Sequence, residues 1–176
     1  MVSVSGYGII SGFTNDGNKI PQQTIPQYYD KLGFSYNKFA DSITVSETEW
    51  DFERYKPDII VINLGTNDMN YATTDERKAE FEDGYLDFLK KVRSLNPDSY
   101  IFQTYGVMGT SLEENIENVR RKYMSETGDE RITFIPLTMQ DEDADGIVAD
   151  WHPSPRTHSL VSQKVTAAIK ETLGYK

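Results

Sequence analysis

Cysteine is absent from this chain, and histidine and tryptophan occur only twice each. Without cysteine there is no disulfide scaffold and no thiolate metal site, although the compartment stays open. No apolar stretch reaches the roughly 18 residues that a membrane-spanning helix needs. Basic runs are also scarce: the longest is Arg120-Arg121-Lys122, against a formal net charge of -10. That balance excludes a nucleic-acid partner and favours solubility. Met1-Val2-Ser3-Val4-Ser5 has neither the basic nor the apolar region of a signal peptide. It reads as the tail of a strand running into Gly6-Tyr7-Gly8. The two histidines and scattered acids show no recognised ligand spacing. Asp141-Glu142-Asp143-Ala144-Asp145-Gly146 has a faint likeness to a calcium loop, but no Glu stands at the twelfth position counted from Asp141. It reads as a solvated acidic loop, and neither a metal nor a cofactor is expected.

The 176 residues fit one domain with a real core. Tyrosine is plentiful, at 11 residues, and can either pack at sheet edges or line a sugar-binding groove. Residues 11 to 50 read as long loops, with one short helix near Gln22 to Leu32, and a loop region of that length is often functional. Beyond it the order is regular. Asp58 to Leu64 is a strand whose β-branched run Ile59 to Ile62 lacks polar alternation, as in a strand covered on both faces. Thr74-Asp75-Glu76 starts a helix with a capping Thr and acids in its first turn, and Asn96-Pro97 ends it. Tyr100 to Tyr105 is a second strand. Ser111-Leu112-Glu113-Glu114 has the pattern of a capping box opening a second helix. Arg131 to Leu137 is a third strand, and Ser154-Pro155 opens a last helix with Val161, Val165, Ala168, Ile169 and Leu173 inward. This alternation predicts an α/β fold: three layers, αβα, around a parallel sheet.

Two segments carry candidate chemistry. Gly65-Thr66-Asn67-Asp68 places an amide at a strand's carboxyl end, where open α/β sheets build their sites. Asn67 either bonds its own turn or donates to a developing oxyanion. Asp150-Trp151-His152 places an imidazole just before a helix. His152 is a natural general base for a hydroxyl nucleophile, with Asp150 available to fix its tautomer; the alternative is a surface turn that Asp150 caps. A Gly6 N–H at the end of the opening strand is a second candidate oxyanion donor. His158, inside the last helix, reads as structural.

Ser5-Gly6-Tyr7-Gly8, Gly65-Thr66-Asn67-Asp68 and Asp150-Trp151-His152-Pro153-Ser154 resemble three signature blocks of the SGNH, or GDSL, hydrolases. The run Trp50 to Asp68, the loop Ile25-Pro26-Gln27-Tyr28-Tyr29-Asp30 and the His-Pro-Ser-x-x-x-His pattern at 152 to 158 are most similar to carbohydrate esterase family 2. Those enzymes remove acetyl groups from plant polysaccharides. The resemblance covers nearly the whole chain, 1–176, as a single catalytic domain. It implies a flavodoxin-like sheet, His152 as base, Asp150 as its orienting acid (a backbone carbonyl in part of the family), and Gly6 with Asn67 as the oxyanion hole. It further implies that Tyr7 and Trp151 flank the acyl or sugar pocket, that the partner is an acetylated polysaccharide or oligosaccharide with no membrane or nucleic acid, and that the full-length form is extracellular or at the cell surface.

One departure matters. The family's nucleophile is the Ser of an opening strand that ends in Gly-Asp-Ser, upstream of the first block matched here, and that block begins at Ser5. The expectation is therefore an N-terminally shortened domain lacking a central first strand, weak or inactive alone, whose gap another segment or a homodimer partner fills. The other candidate is Ser42 in Ala40-Asp41-Ser42-Ile43-Thr44, reached from an alternating stretch Phe34 to Phe39. A nucleophile elbow needs a helix next, and Thr44-Val45-Ser46-Glu47-Thr48 is poor for one, so Ser42 reads as a decoy. A non-catalytic carbohydrate-binding module that kept the esterase fold is the alternative function.

Overall fold

The alternating strands and helices of the sequence form a parallel sheet with helices on both faces. The computed structural model describes residues 4–34, 42–175 and the backbone of 38–39; Met1 to Ser3, residues 35–37 of the stretch Phe34 to Phe39, and residues 40–41 before Ser42, on which expectations above fall, lie outside the described residues. A short antiparallel hairpin, β1 (Lys38–Phe39) with β2 (Ile43–Thr44), precedes the sheet. The sheet contains β3 (Ile59–Asn63), β4 (Tyr100–Tyr105) and β5 (Ile132–Pro136), in that spatial order and all parallel. Its register runs from Ile59 opposite Tyr100 to Asn63 opposite Thr104, then from Ile101 opposite Ile132 to Tyr105 opposite Pro136. All three strands therefore end at one rim.

Helix α1 (Asp75–Leu95) begins as expected. The Thr74 hydroxyl accepts the Arg77 N–H at 3.4 Å, and Asp75 and Glu76 sit at the positive end of the helix dipole. Its buried stripe is Phe81, Tyr85, Leu86, Phe88, Leu89 and Val92. Helix α2 (Glu113–Thr127) buries Ile116, Val119 and Tyr123 beside it. The expected capping box does not form: Leu112 holds the cap position, with no side-chain cap bond. Leu112 is fully buried, and burying that side chain sets the helix start past Ser111. A single acidic turn, α3 (Glu142–Asp145), is capped by Asp141. The last helix, α4 (Pro155–Leu173), is capped by the Ser154 hydroxyl, which accepts the Thr157 N–H at 3.2 Å. The helix expected near Gln22 to Leu32 is only one 3₁₀ turn, Ile25–Gln27.

Helices α1 and α2 share one large core with Ile62, Ile101, Tyr105 and Ile132. On the other face, α4 lays Val161, Val165, Ala168, Ile169 and Leu173 over Phe102, Ile135 and Leu137. These two clusters make the three layers. β3 departs from the expectation of a strand covered on both faces. Val61 is 46% exposed and Asn63 is exposed, because among the described residues β3 has a sheet neighbour only in β4 and α4 lies over the Phe102–Ile135 side. Along the open side of β3 runs a groove of about 500 Å³, walled by Ile25, Tyr29, Trp50 and Phe52.

Candidate active site

Asn67 lies four residues past the end of β3, in the turn after Leu64. Its Nδ2 donates to the Tyr7 carbonyl at 2.8 Å. A side-chain amide has two N–H protons, so this bond orients the group and leaves one proton to offer. The structure thus brings Asn67 and the Gly6-Tyr7-Gly8 segment together. Gly6 adopts φ +77°, a left-handed conformation that glycine enters without steric penalty, and among the described residues its N–H has no acceptor. Tyr7 is half-buried, with its ring 6.1 Å from Tyr28 and 5.8 Å from Phe34. Those two aromatics extend the surface beside Tyr7, and sequence reasoning did not single them out.

A further group holding this segment was not legible as a site residue. Asp68 is 0% exposed, and its carboxylate accepts the N–H groups of Ile9 (3.1 and 2.9 Å), Ile10 (2.8 Å) and Ser11 (3.0 Å). Burial pushes its pKa up to about 6, opposed by those backbone hydrogen bonds. Gly8 makes the approach possible: a Cβ there would lie 2.4 Å from Asp68 Oδ2. The partners are backbone amides, which have no residue signature. A glycine two residues after Gly6 was the one available hint.

His152 sits in the loop between β5 and α4. Its Nδ1 lies 3.1 Å from the Ala149 carbonyl. With the proton on Nδ1 donated to that carbonyl, Nε2 keeps a lone pair for proton abstraction. Asp150, expected to orient this ring, makes no hydrogen bond to it; the carbonyl occupies that place. The reason is local backbone shape. Asp150 and Trp151 both take positive φ, 55° and 61°, an unusual conformation for a bulky side chain. The turn is closed by His152 N–H to the Ala149 carbonyl at 3.2 Å and Val148 N–H to the His152 carbonyl at 2.9 Å. Trp151 is thereby left 64% exposed. Below the turn, Ser154 donates to the Asp145 carbonyl at 2.7 Å, and Arg156 pairs with Asp145 at 2.6 Å.

The two halves meet through the loop after β4. Gly109 faces Met69: a Cβ there would be 2.8 Å from the Met69 sulfur. Two residues earlier, the Val107 carbonyl accepts the Gln140 N–H at 2.9 Å, and Gln140 Nε2 donates to the Trp151 carbonyl at 2.8 Å. Asn67 and His152 therefore belong to the same carboxyl-end rim, and no described hydrogen bond joins them directly. Ser42 is exposed in the turn between β1 and β2, a hairpin rather than a strand-to-helix elbow. His158 is exposed on the first turns of α4. Among the described residues, no group of three or more His, Asp or Glu is arranged to hold a metal.

Comparison with known proteins bears on the fold and the family. The chain is 35% identical over 148 residues to the cellulase/esterase CelE of Acetivibrio thermocellus, covering 79% of this chain and 17% of that protein. It is 23% identical over 178 residues to an acetylxylan esterase/glucomannan deacetylase of Cellvibrio japonicus, covering 99% and 44%. Among solved structures, a family two carbohydrate esterase from Clostridium thermocellum in complex with cellohexaose superposes with a TM-score of 0.75 at 30% identity, over 97% of this chain and 49% of that one. The acetyl xylan esterase Est2A of Butyrivibrio proteoclasticus shares the fold, with a TM-score of 0.85 at 22% identity over 97% and 50%. The chain spans about half the length of these solved relatives or less of the curated ones. The family profile matches residues 6–160, and the chain belongs to the GDSL-like lipase/acylhydrolase family.

Proposed function

We propose that this chain carries the oxyanion and general-base groups of a carbohydrate O-acetyl esterase. The observation that carries the reading is Asn67: its amide stands at the carboxyl end of β3, fixed by the Tyr7 carbonyl, with one N–H to spare. In the reaction a hydroxyl oxygen attacks the acetyl carbonyl while Nε2 of His152 takes its proton. The charge gathering on the carbonyl oxygen is met by Asn67 Nδ2–H and the Gly6 N–H. Collapse of the tetrahedral intermediate breaks the bond to the sugar oxygen, which leaves with the proton from His152. Water, activated by the same imidazole, then releases acetate.

Among the described residues gathered at this rim, none is assigned as the attacking hydroxyl. A strand pairing in parallel with the open edge of β3 would end beside Asn67, and that is where it would enter. The substrate class is an acetylated plant polysaccharide or oligosaccharide, supported by the xylan, glucomannan and cellohexaose in the relatives' descriptions. Trp151 and the Tyr7–Tyr28–Phe34 surface supply stacking faces for sugar rings. A polymer of that kind is met outside the cell.

Acetate release from acetylated glucomannan and from p-nitrophenyl acetate tests the reading. The chain alone is expected to turn over near the background rate. Fast, saturable turnover abolished by His152→Ala would overturn the account of the nucleophile, with Ser42→Ala the next variant. The exposed aromatics also favour a second reading, glycan binding without chemistry. Binding to cellulose or mannan oligosaccharides that survives His152→Ala, with no acetate released, would favour it.

A further inference from the structure

We propose that Asp68 is the positioning residue of the oxyanion site: its buried carboxylate clamps Ile9 to Ser11 and so holds the Gly6 N–H in fixed relation to the Asn67 amide. The meaning of Gly6 and Asn67 rests on the esterase reading, but the clamp does not. Consecutive side chains grip the two sides of Gly8. Asn67 bonds the carbonyl before it, on Tyr7, and Asp68 takes the three N–H groups after it. The grip reaches Gly6 by a short route, because Phe13, two residues beyond Ser11, donates its N–H to the Gly6 carbonyl at 2.8 Å. Gly8 itself is tied to Gln23 by its N–H (3.1 Å) and to Ile25 by its carbonyl (2.9 Å). Ile9 is buried in the core, and Ile10 abuts α1 at Gly84.

A buried carboxylate is an expensive way to hold a loop. Among the described residues no Lys, Arg or His pairs with it. The titratable groups sensing it are the Tyr85 hydroxyl from α1 and the Tyr105 hydroxyl from β4, both buried and pushed upward mainly by that burial. Its charge is therefore balanced by amide dipoles, chiefly the Ile9, Ile10 and Ser11 N–H groups of one loop, an anion nest. Protonation removes most of that attraction while leaving the surrounding core in place. The segment bearing Gly6 should then loosen at acid pH without the fold being lost.

Nuclear magnetic resonance on the chain as it stands tests this without an activity assay. A pH titration should show the Asp68 carboxyl, the Ile9, Ile10 and Ser11 amides, the Gly6 amide and the Asn67 side-chain amide moving with one shared midpoint near 6. In Asp68→Asn that shared titration disappears. Hydrogen exchange at Ile9 to Ser11 then speeds by about tenfold or more, the size expected for losing hydrogen bonds to a charged group, while amides of α1 hold their rates. A Gly6 amide and Asn67 amide that ignore the Asp68 titration would overturn the proposal. The wild-type titration decides it even if the variant does not fold. Because the titration is read without any acetate release, a shared midpoint leaves the clamp standing even where the esterase reading fails.

Discussion

The two faces of the sheet are built to different degrees. On the α1/α2 face, Phe81, Tyr85, Leu89, Val92, Ile116, Val119 and Tyr123 are all fully buried. On the α4 face, a helix of 19 residues buries only Thr157 completely, Leu160 stays exposed, and the neighbouring β3 shows Val61 to solvent. Hydrophobic stabilisation scales with the area removed from water, so the first face holds the domain together and the second is under-covered. The candidate site lies where they meet. Asn67 and Asp68 leave the end of β3 toward the well-packed side, whereas His152 comes from the loop that leads into α4. The oxyanion groups are thus anchored in the rigid half, and the base in the loose one.

The sharpest way to break this contrast is truncation in each core. Phe81→Ala is expected to destabilise by about 3–5 kcal/mol in urea unfolding, the range for a fully buried aromatic. Val165→Ala on α4 should stay near 1 kcal/mol, because that side chain is only half-buried. Equal losses would erase the distinction between the faces. Next in size is the pH dependence of Asp68. Its folded pKa, about 6, lies above the ordinary 3.8. The folded state therefore binds its proton more readily than the unfolded state does. The stabilising contribution is full below about pH 4 and is lost as pH rises through 6, on the order of 3 kcal/mol. Subtracting the Asp68→Asn stability curve from that of wild type isolates this segment from carboxylates shifted the other way, such as Asp129 and Glu80. Stability and loop order then move in opposite directions with acid, which a simple structural staple would not produce.

A smaller effect tests the loose face itself. Ser154→Ala removes the cap of α4 and the donor to the Asp145 carbonyl. The expected loss is about 1 kcal/mol, with greater mobility in the His152 loop than in the Asn67 turn, readable as a difference in amide exchange.

What was legible in the residues follows the same division. Periodicity and caps give β4 to the residue, α1 from Thr74 to Asn96, and the start of α4 at Pro155, because each is a local rule acting on a well-covered element. The capping box at Ser111 misleads because burial of Leu112 outweighs a cap bond. The apolar run of β3 suggests two covered faces, yet coverage is supplied by whatever lies alongside, which no strand sequence contains. At the site, Asn67 and His152 stand out by residue type. Asp68 does not, since its role comes from three backbone amides about 58 residues away, and the carbonyl of Ala149 is invisible for the same reason.

The smallest effect concerns the open edge. A strand with a row of unpaired backbone groups and exposed β-branched side chains invites pairing with another chain, and a single lysine is the usual deterrent. Val61→Lys places that charge at a position already 46% exposed. The fold should tolerate it within about 0.5 kcal/mol. Sedimentation velocity across a hundredfold range of concentration then reads the edge directly. If a second copy covers β3, wild type associates as concentration rises and Val61→Lys remains a monomer. If wild type is monomeric throughout, a second copy does not fill the groove. A Val61→Lys chain that unfolds would mean that β3 is more deeply packed than its exposure indicates, and the contrast between the two faces would be smaller than the burial of their side chains implies.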